Sequence, residues 1–209
     1  MARSEKDGAL RRAQVLSIIT TLRLVGSGLE AQTPRFVPGD LVAKFVPGSE
    51  AGTTVMRAAA RAPLDIEGLE PIANHLTDAV GVPLKAVALN SGYFCILSVD
   101  AKGLGERLRR RLAGRQRVER VEIVPDSAAV AVRVAFAAGA TEARMPAERV
   151  AASLERELDL PLKGEALGNG RFALRVNLEA LTLNLVEKLR ALPEVESVQP
   201  NYILKGSLR

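Results

Sequence analysis

Residues 83–94 read PLKAVALNSGYF and residues 161–172 read PLKGEALGNGRF. Both open on Pro-Leu-Lys, carry Ala-Leu at 88–89 and 166–167, and set Gly92 and Phe94 against Gly170 and Phe172, an offset of 78 residues (161 − 83). The likeness continues downstream with a small shift. Val118-Glu119-Arg120-Val121 followed by Pro125-Asp126 is answered by Val195-Glu196-Ser197-Val198 followed by Pro200-Asn201. A repeat this long exceeds solenoid units and fits two small domains in tandem.

Each copy predicts the same elements. In the first, residues 41–46 form a β-type run between Pro38-Gly39 and Pro47-Gly48. Leu69, Ile72, Ala73, Leu76, Ala79 and Val80 then recur at helical steps, and Gly81 supplies a C-terminal cap. Residues 84–89 and 93–99 predict a hairpin across Asn90-Ser91-Gly92. Leu104, Leu108 and Leu112 mark a second helix, and residues 118–124 a last strand. The second copy predicts strands at 130–136, 162–167, 172–176 and 195–199, with helices at 146–158 and 181–192. Pro146 at a helix start and Pro193 beyond a helix end are where proline is tolerated. The order is βαββαβ twice, an α+β chain of two tandem ferredoxin-like domains, each a four-stranded antiparallel sheet with two helices on one face. The expected divisions are a leader at 1–33, a first domain at 34–127 and a second at 128–209, with residues 57–68 as an insertion and 125–129 as a short linker.

Composition narrows the function. The chain has 209 residues, 47% hydrophobic and 25% charged, enough for a real core in one or two domains. One Cys excludes a disulfide framework or multi-Cys metal site, and one His excludes a two-His metal pair. No metal and no cofactor is expected. Aromatics are 3% and Trp is absent, so stacking platforms for bases or sugars have little material. The formal charge of +5 suits many partners and does not by itself imply nucleic acid.

Arg3, Lys6, Arg11 and Arg12 precede a largely apolar run at 13–22, the outline of a signal peptide, though Arg23 interrupts it. If this segment is a signal the protein is secreted or periplasmic; otherwise it is cytoplasmic. No apolar run reaches the roughly 20 residues that span a bilayer, so no membrane association is expected.

Two motifs carry a resemblance. Phe36-Val37-Pro38-Gly39-Asp40-Leu41-Val42-Ala43-Lys44-Phe45 resembles the opening strand, and Leu192-Pro193-Glu194-Val195-Glu196-Ser197-Val198-Gln199-Pro200-Asn201-Tyr202 the closing strand, of the inhibitor-type propeptide of subtilisin-like serine proteases, the fervidolysin-like prodomain in particular. The resemblance spans residues 34–204 and implies the same fold that periodicity predicts. It implies a protease inhibitor and intramolecular chaperone whose sheet covers the protease surface and whose C-terminal tail enters the substrate cleft by strand addition. Here that tail is Asn201, Tyr202, Ile203, Leu204 and Lys205; the first two match the motif and the rest follow by position. The expected partner is a subtilisin-like serine protease. The chain itself is expected not to be an enzyme, since a lone His75 cannot build a triad.

Other features bear on a rival reading, a ferredoxin-like module for RNA or a small ligand with no protease partner. Arg107, Arg109, Arg110, Arg111, Arg115 and Arg117 form a candidate basic patch, read first as a solvated helix face. Gly92-Tyr93-Phe94-Cys95-Ile96 faintly resembles the RNA-recognition motif, with Tyr93 exposed and Phe94 in the core, but offers one stacking residue at best, so nucleic acid is disfavoured. Cys95 reads as a buried, inert thiol and His75 as a structural or surface residue. A protease-docking sheet predicts an apolar helix-free face beside the tail; a nucleic-acid platform predicts arginines and Tyr93 together on one face.

Overall fold

A computed structural model describes residues 35–61, 65–90, 93–124 and 130–203. The leader 1–33, the Ser91-Gly92 turn, the linker 125–129 and the tail residues Leu204 and Lys205 lie outside the described residues. The strands are β1 (Phe36–Phe45), β2 (Leu84–Leu89), β3 (Phe94–Val99), β4 (Val118–Val124), β5 (Ala131–Phe136), β6 (Leu162–Gly168), β7 (Arg171–Val176) and β8 (Val195–Tyr202). The helices are α1 (Glu50–Ala59), α2 (Glu70–Val80), α3 (Ala101–Ala113), α4 (Ala147–Leu158) and α5 (Leu178–Arg190). The expected elements are present within a few residues. One was missed: α1 precedes the presumed insertion at 57–68 and overlaps its first three residues, capped by Ser49, whose hydroxyl accepts from Gly52 N at 3.0 Å, with Ala51, Val55 and Ala58 buried.

The strands form two antiparallel four-stranded sheets, β2-β3-β1-β8 (sheet A) and β4-β5-β7-β6 (sheet B). Both orders are compatible with a ferredoxin-like arrangement, but sheet membership does not follow the sequence halves 34–127 and 128–209. The last strand of each copy is exchanged: β4 pairs with β5, and β8 pairs with β1. Each strand takes its preceding helix with it. Gly105 of α3 lies against Ile123 and Val130, while Thr182 of α5 is bonded to Gly39 at the start of β1. Sheet B with α3 and α4 is therefore one continuous stretch, 101–176, set between two parts of the chain that together make sheet A.

Matching hydrogen bonds show the symmetry of the exchange. Val46 N donates to Glu194 O and Ala137 N to Arg117 O, both at 2.9 Å, closing the β1–β8 and β5–β4 pairs alike. The chain leaves each sheet at the same point, where Asp100 N bonds Pro83 O and Asn177 N bonds Pro161 O, again at 2.9 Å. Asp100 and Asn177 are the N-cap residues of α3 and α5.

Complementary small and large residues give a physical reason for the pairing. Gly39, within β1, and Val130, just before β5, occupy equivalent places by register, and Gly105 and Thr182 equivalent places on the exchanged helices. Gly39, at φ +90°, sits at an irregularity in the β1–β8 register and has an N–H to satisfy. Thr182 supplies the hydroxyl, whereas Val130 meets the bare backbone of Gly105. The opposite pairing would leave Gly39 N–H facing a glycine and press Thr182 on Val130. Leu104, Leu108 and Leu112 of α3, and Leu181, Leu185 and Leu189 of α5, are all at most 2% exposed. Each such burial contributes roughly 1.5–3 kcal/mol. The buried apolar residues of both sheets form a single contiguous cluster.

Candidate functional site

Strand alternation leaves each sheet with one face toward its helices and one without. On sheet A, Leu41, Ala43, Cys95, Leu97, Val99 and Val198 turn inward and are buried. The other face carries a half-buried apolar row, Ala88–Ile96–Val42, with Phe94 beside it and Gln199 closing the row on β8. Lys44, Lys85 and Ser98 border the row, and Lys44 Nζ pairs with Glu196 Oε1 at 2.6 Å. This is an apolar strip of modest width with a polar rim.

The tail begins on the edge strand of this same sheet. Tyr202 is opposite Phe36, their rings edge to face at 6.2 Å, and Ile203 N donates to Arg35 O at 2.9 Å. Asn201 is half-buried, while Tyr202 and Ile203 are 40% and 55% exposed. Residues 201–203 thus complete β8 and its continuation. The tail was expected to serve the second copy; it belongs instead to the sheet built on the first copy's strands.

In the basic run around Arg107 several side chains have partners within the fold, while Arg109, Arg110, Arg111 and Arg117 are exposed. Arg107 Nη1 bonds Gly81 O at 2.6 Å, and Arg109 pairs with Glu106 at 2.9 Å. Arg111 donates to Leu158 O and Glu157 O, each at 2.9 Å, while Arg115 pairs with Glu157 at 2.6 Å. Arg117 faces Glu142 at 3.6 Å, and Arg110 lies exposed in the last turn of α3. Arg107 and Arg111 reach the C-terminal carbonyls of α2 and α4, where a cation meets the negative helix end.

Tyr93 is 48% exposed at φ 60° in the β2–β3 turn, and Phe94, expected in the core, is half-buried on the helix-free face of sheet A. Its counterpart by repeat, Phe172, is 3% exposed and stacks edge to face on Phe136 inside. The hairpin is one residue longer in the first copy, between Pro83 and Asp100 against Pro161 and Asn177, and a one-residue shift reverses the face. Tyr93 is in the β2–β3 turn, whereas Arg107, Arg109, Arg110 and Arg111 are on α3. His75 Nε2 is 2.8 Å from Glu194 Oε1 at the protein surface. Cys95 is wholly buried, and burial pushes its thiol up to about 12. No helix among the described residues is long and apolar enough to cross a membrane.

Sequence reasoning missed the helix-free face of sheet B. Arg133, Arg171 and Arg175 project from its two central strands, with Arg120 and Lys163 on its edges. In sequence Arg133 and Arg175 each stand alone among apolar residues; only strand register gathers the set. No protein-family model, curated protein or solved structure matches the chain.

Proposed function

We propose that this chain is a propeptide-like protein that binds a subtilisin-like serine protease as inhibitor, folding chaperone or both, and that each sheet with its helices is a ferredoxin-like unit. One observation carries the reading: the two motifs that resemble the start and end of a single prodomain are neighbouring antiparallel strands, β1 and β8, although a whole second unit separates them in the chain. Sheet A is then the prodomain proper. Its Ala88–Ile96–Val42 row is the surface that meets the protease, and the chain beyond Ile203 is the segment that enters the cleft by strand addition.

The test is inhibition of a panel of subtilisin-like proteases by the full chain, by a truncation of residues 204–209, and by Ile96→Glu. Slow, tight inhibition weakened by either change supports the reading. A full chain that is folded yet simply cleaved or ignored by every protease overturns it. Truncation starts at 204 because removing Tyr202 would also strip its ring from Phe36.

A further inference from the structure

The helix-free face of sheet B is built in rows across its strands. The first row holds Arg120, Ala135 and Arg171; the second Glu122, Arg133, Ala173 and Glu165; the third Val124, Ala131, Arg175 and Lys163. Every arginine on the two central strands stands directly opposite an alanine: Arg171 on Ala135, Arg133 on Ala173, Arg175 on Ala131. The alanines leave a floor between guanidinium groups, and at the Arg120–Arg171 end this floor opens into a depression of about 300 Å³. Glu122 is held by Arg120 at 2.5 Å, whereas Arg133, Arg171, Arg175 and Lys163 make no ion pair among the described residues.

From this geometry we propose that sheet B is a docking surface for an extended acidic peptide segment of a partner protein, with carboxylates four residues apart. Charge complementarity sets the chemistry. The outer rows each carry two cations and no acid, and guanidinium forks donate to carboxylates in bidentate fashion. Spacing sets the conformation: the rows advance by two residues, about 6.7 Å, as do same-side side chains of an extended peptide. A peptide running along β5 and β7 places residues i and i+4 over Arg171 and Arg175. The middle row selects against a polyphosphate. Glu122 and Glu165 flank Arg133 there, and a nucleic-acid backbone must carry charge at every step, whereas a peptide can set a neutral residue at i+2. Among the described residues no aromatic side chain projects from this face to stack a base, Phe172 being turned into the core. This surface is separate from sheet A and does not depend on the protease reading.

The experiment is fluorescence anisotropy of the full chain with a labelled Glu-Thr-Gln-Thr-Glu peptide at low salt. A Lys-Thr-Gln-Thr-Lys peptide and a short oligouridylate are competitors. The acidic peptide should bind and be displaced by salt, with neither competitor matching it. The double variant Arg171→Glu/Arg175→Glu, checked for native circular dichroism, should weaken binding by roughly tenfold or more. Lys44→Glu/Lys85→Glu on sheet A should leave it unchanged. Absence of peptide binding, equal binding by the Arg171→Glu/Arg175→Glu protein, or preference for the oligouridylate each overturns the proposal.

Discussion

Gly39 donates its backbone N–H to Thr182 Oγ1 at 2.7 Å inside the core, and the Thr182 hydroxyl in turn donates to Leu178 O at 2.6 Å. This chain of bonds ties an exchanged helix to the sheet it joins. Thr182→Val keeps the shape but removes the acceptor, leaving a buried N–H without a partner. The expected loss is about 1–3 kcal/mol in urea unfolding, with Thr182→Ser largely restoring stability. If Val and Ser behave alike, the hydroxyl is not what holds α5 to β1.

Topology makes a second prediction, about fragments. Residues 101–176 hold every strand of sheet B together with α3 and α4, in one piece of chain. Residues 128–209, the second copy as the repeat defines it, lack β4 and carry an orphaned α5 and β8. Produced separately, the 101–176 fragment should show the sharper thermal transition, and the 128–209 fragment a broad one or self-association through its unpaired β8 edge. The reverse ranking by calorimetry and sedimentation would mean that the exchange is not intrinsic to the sequence.

Arg111 supports a third. Its two donors take the last two carbonyls of α4 in a fork. Arg111→Ala should cost about 1–2 kcal/mol by leaving those carbonyls without their cation. Arg111→Lys should recover only part, because an ammonium cannot reproduce the paired, planar geometry. Full recovery by lysine in denaturant unfolding would show that only the charge counts.

These cases mark where sequence stops informing. Helices and strands were legible because periodicity is local: Leu104, Leu108 and Leu112 announce an apolar stripe whichever sheet receives it. What receives it depends on Gly39 against Thr182 and Val130 against Gly105, pairs whose members lie far apart in the chain. The one-residue difference in hairpin length put Phe94 and Phe172 on opposite faces, which matching letters could not reveal. The candidate site shows the same divide. The closely spaced arginines at 107–117 read alike in sequence, yet in the fold Gly81, Glu157 and Leu158 hold Arg107, Arg111 and Arg115. Arg133, Arg171 and Arg175 form no pattern in the sequence, because only strand register brings them together.

Cys95 sits between Ala43 and Leu89 in the middle of sheet A, wholly out of solvent, and its thiol is pushed up to about 12 because burial penalises the thiolate. The native protein should therefore resist thiol-specific reagents at mildly alkaline pH and react only as it unfolds. The sign of the pH effect follows from the same shift. Below about pH 8.5, the ordinary cysteine value, both folded and unfolded chains keep the proton and the thiol makes no pH-dependent difference. Above it the unfolded chain ionises while the folded chain does not, so stability falls as pH rises toward about 12. Cys95→Ala should lower stability at neutral pH by about 1 kcal/mol through the space it leaves. It should also flatten the alkaline decline relative to the natural protein, since the other titrating groups are common to both. Urea unfolding of the two proteins at pH 7.5 and pH 10 measures the difference directly. Parallel declines, or rapid labelling of the folded protein, would place the thiol in contact with water.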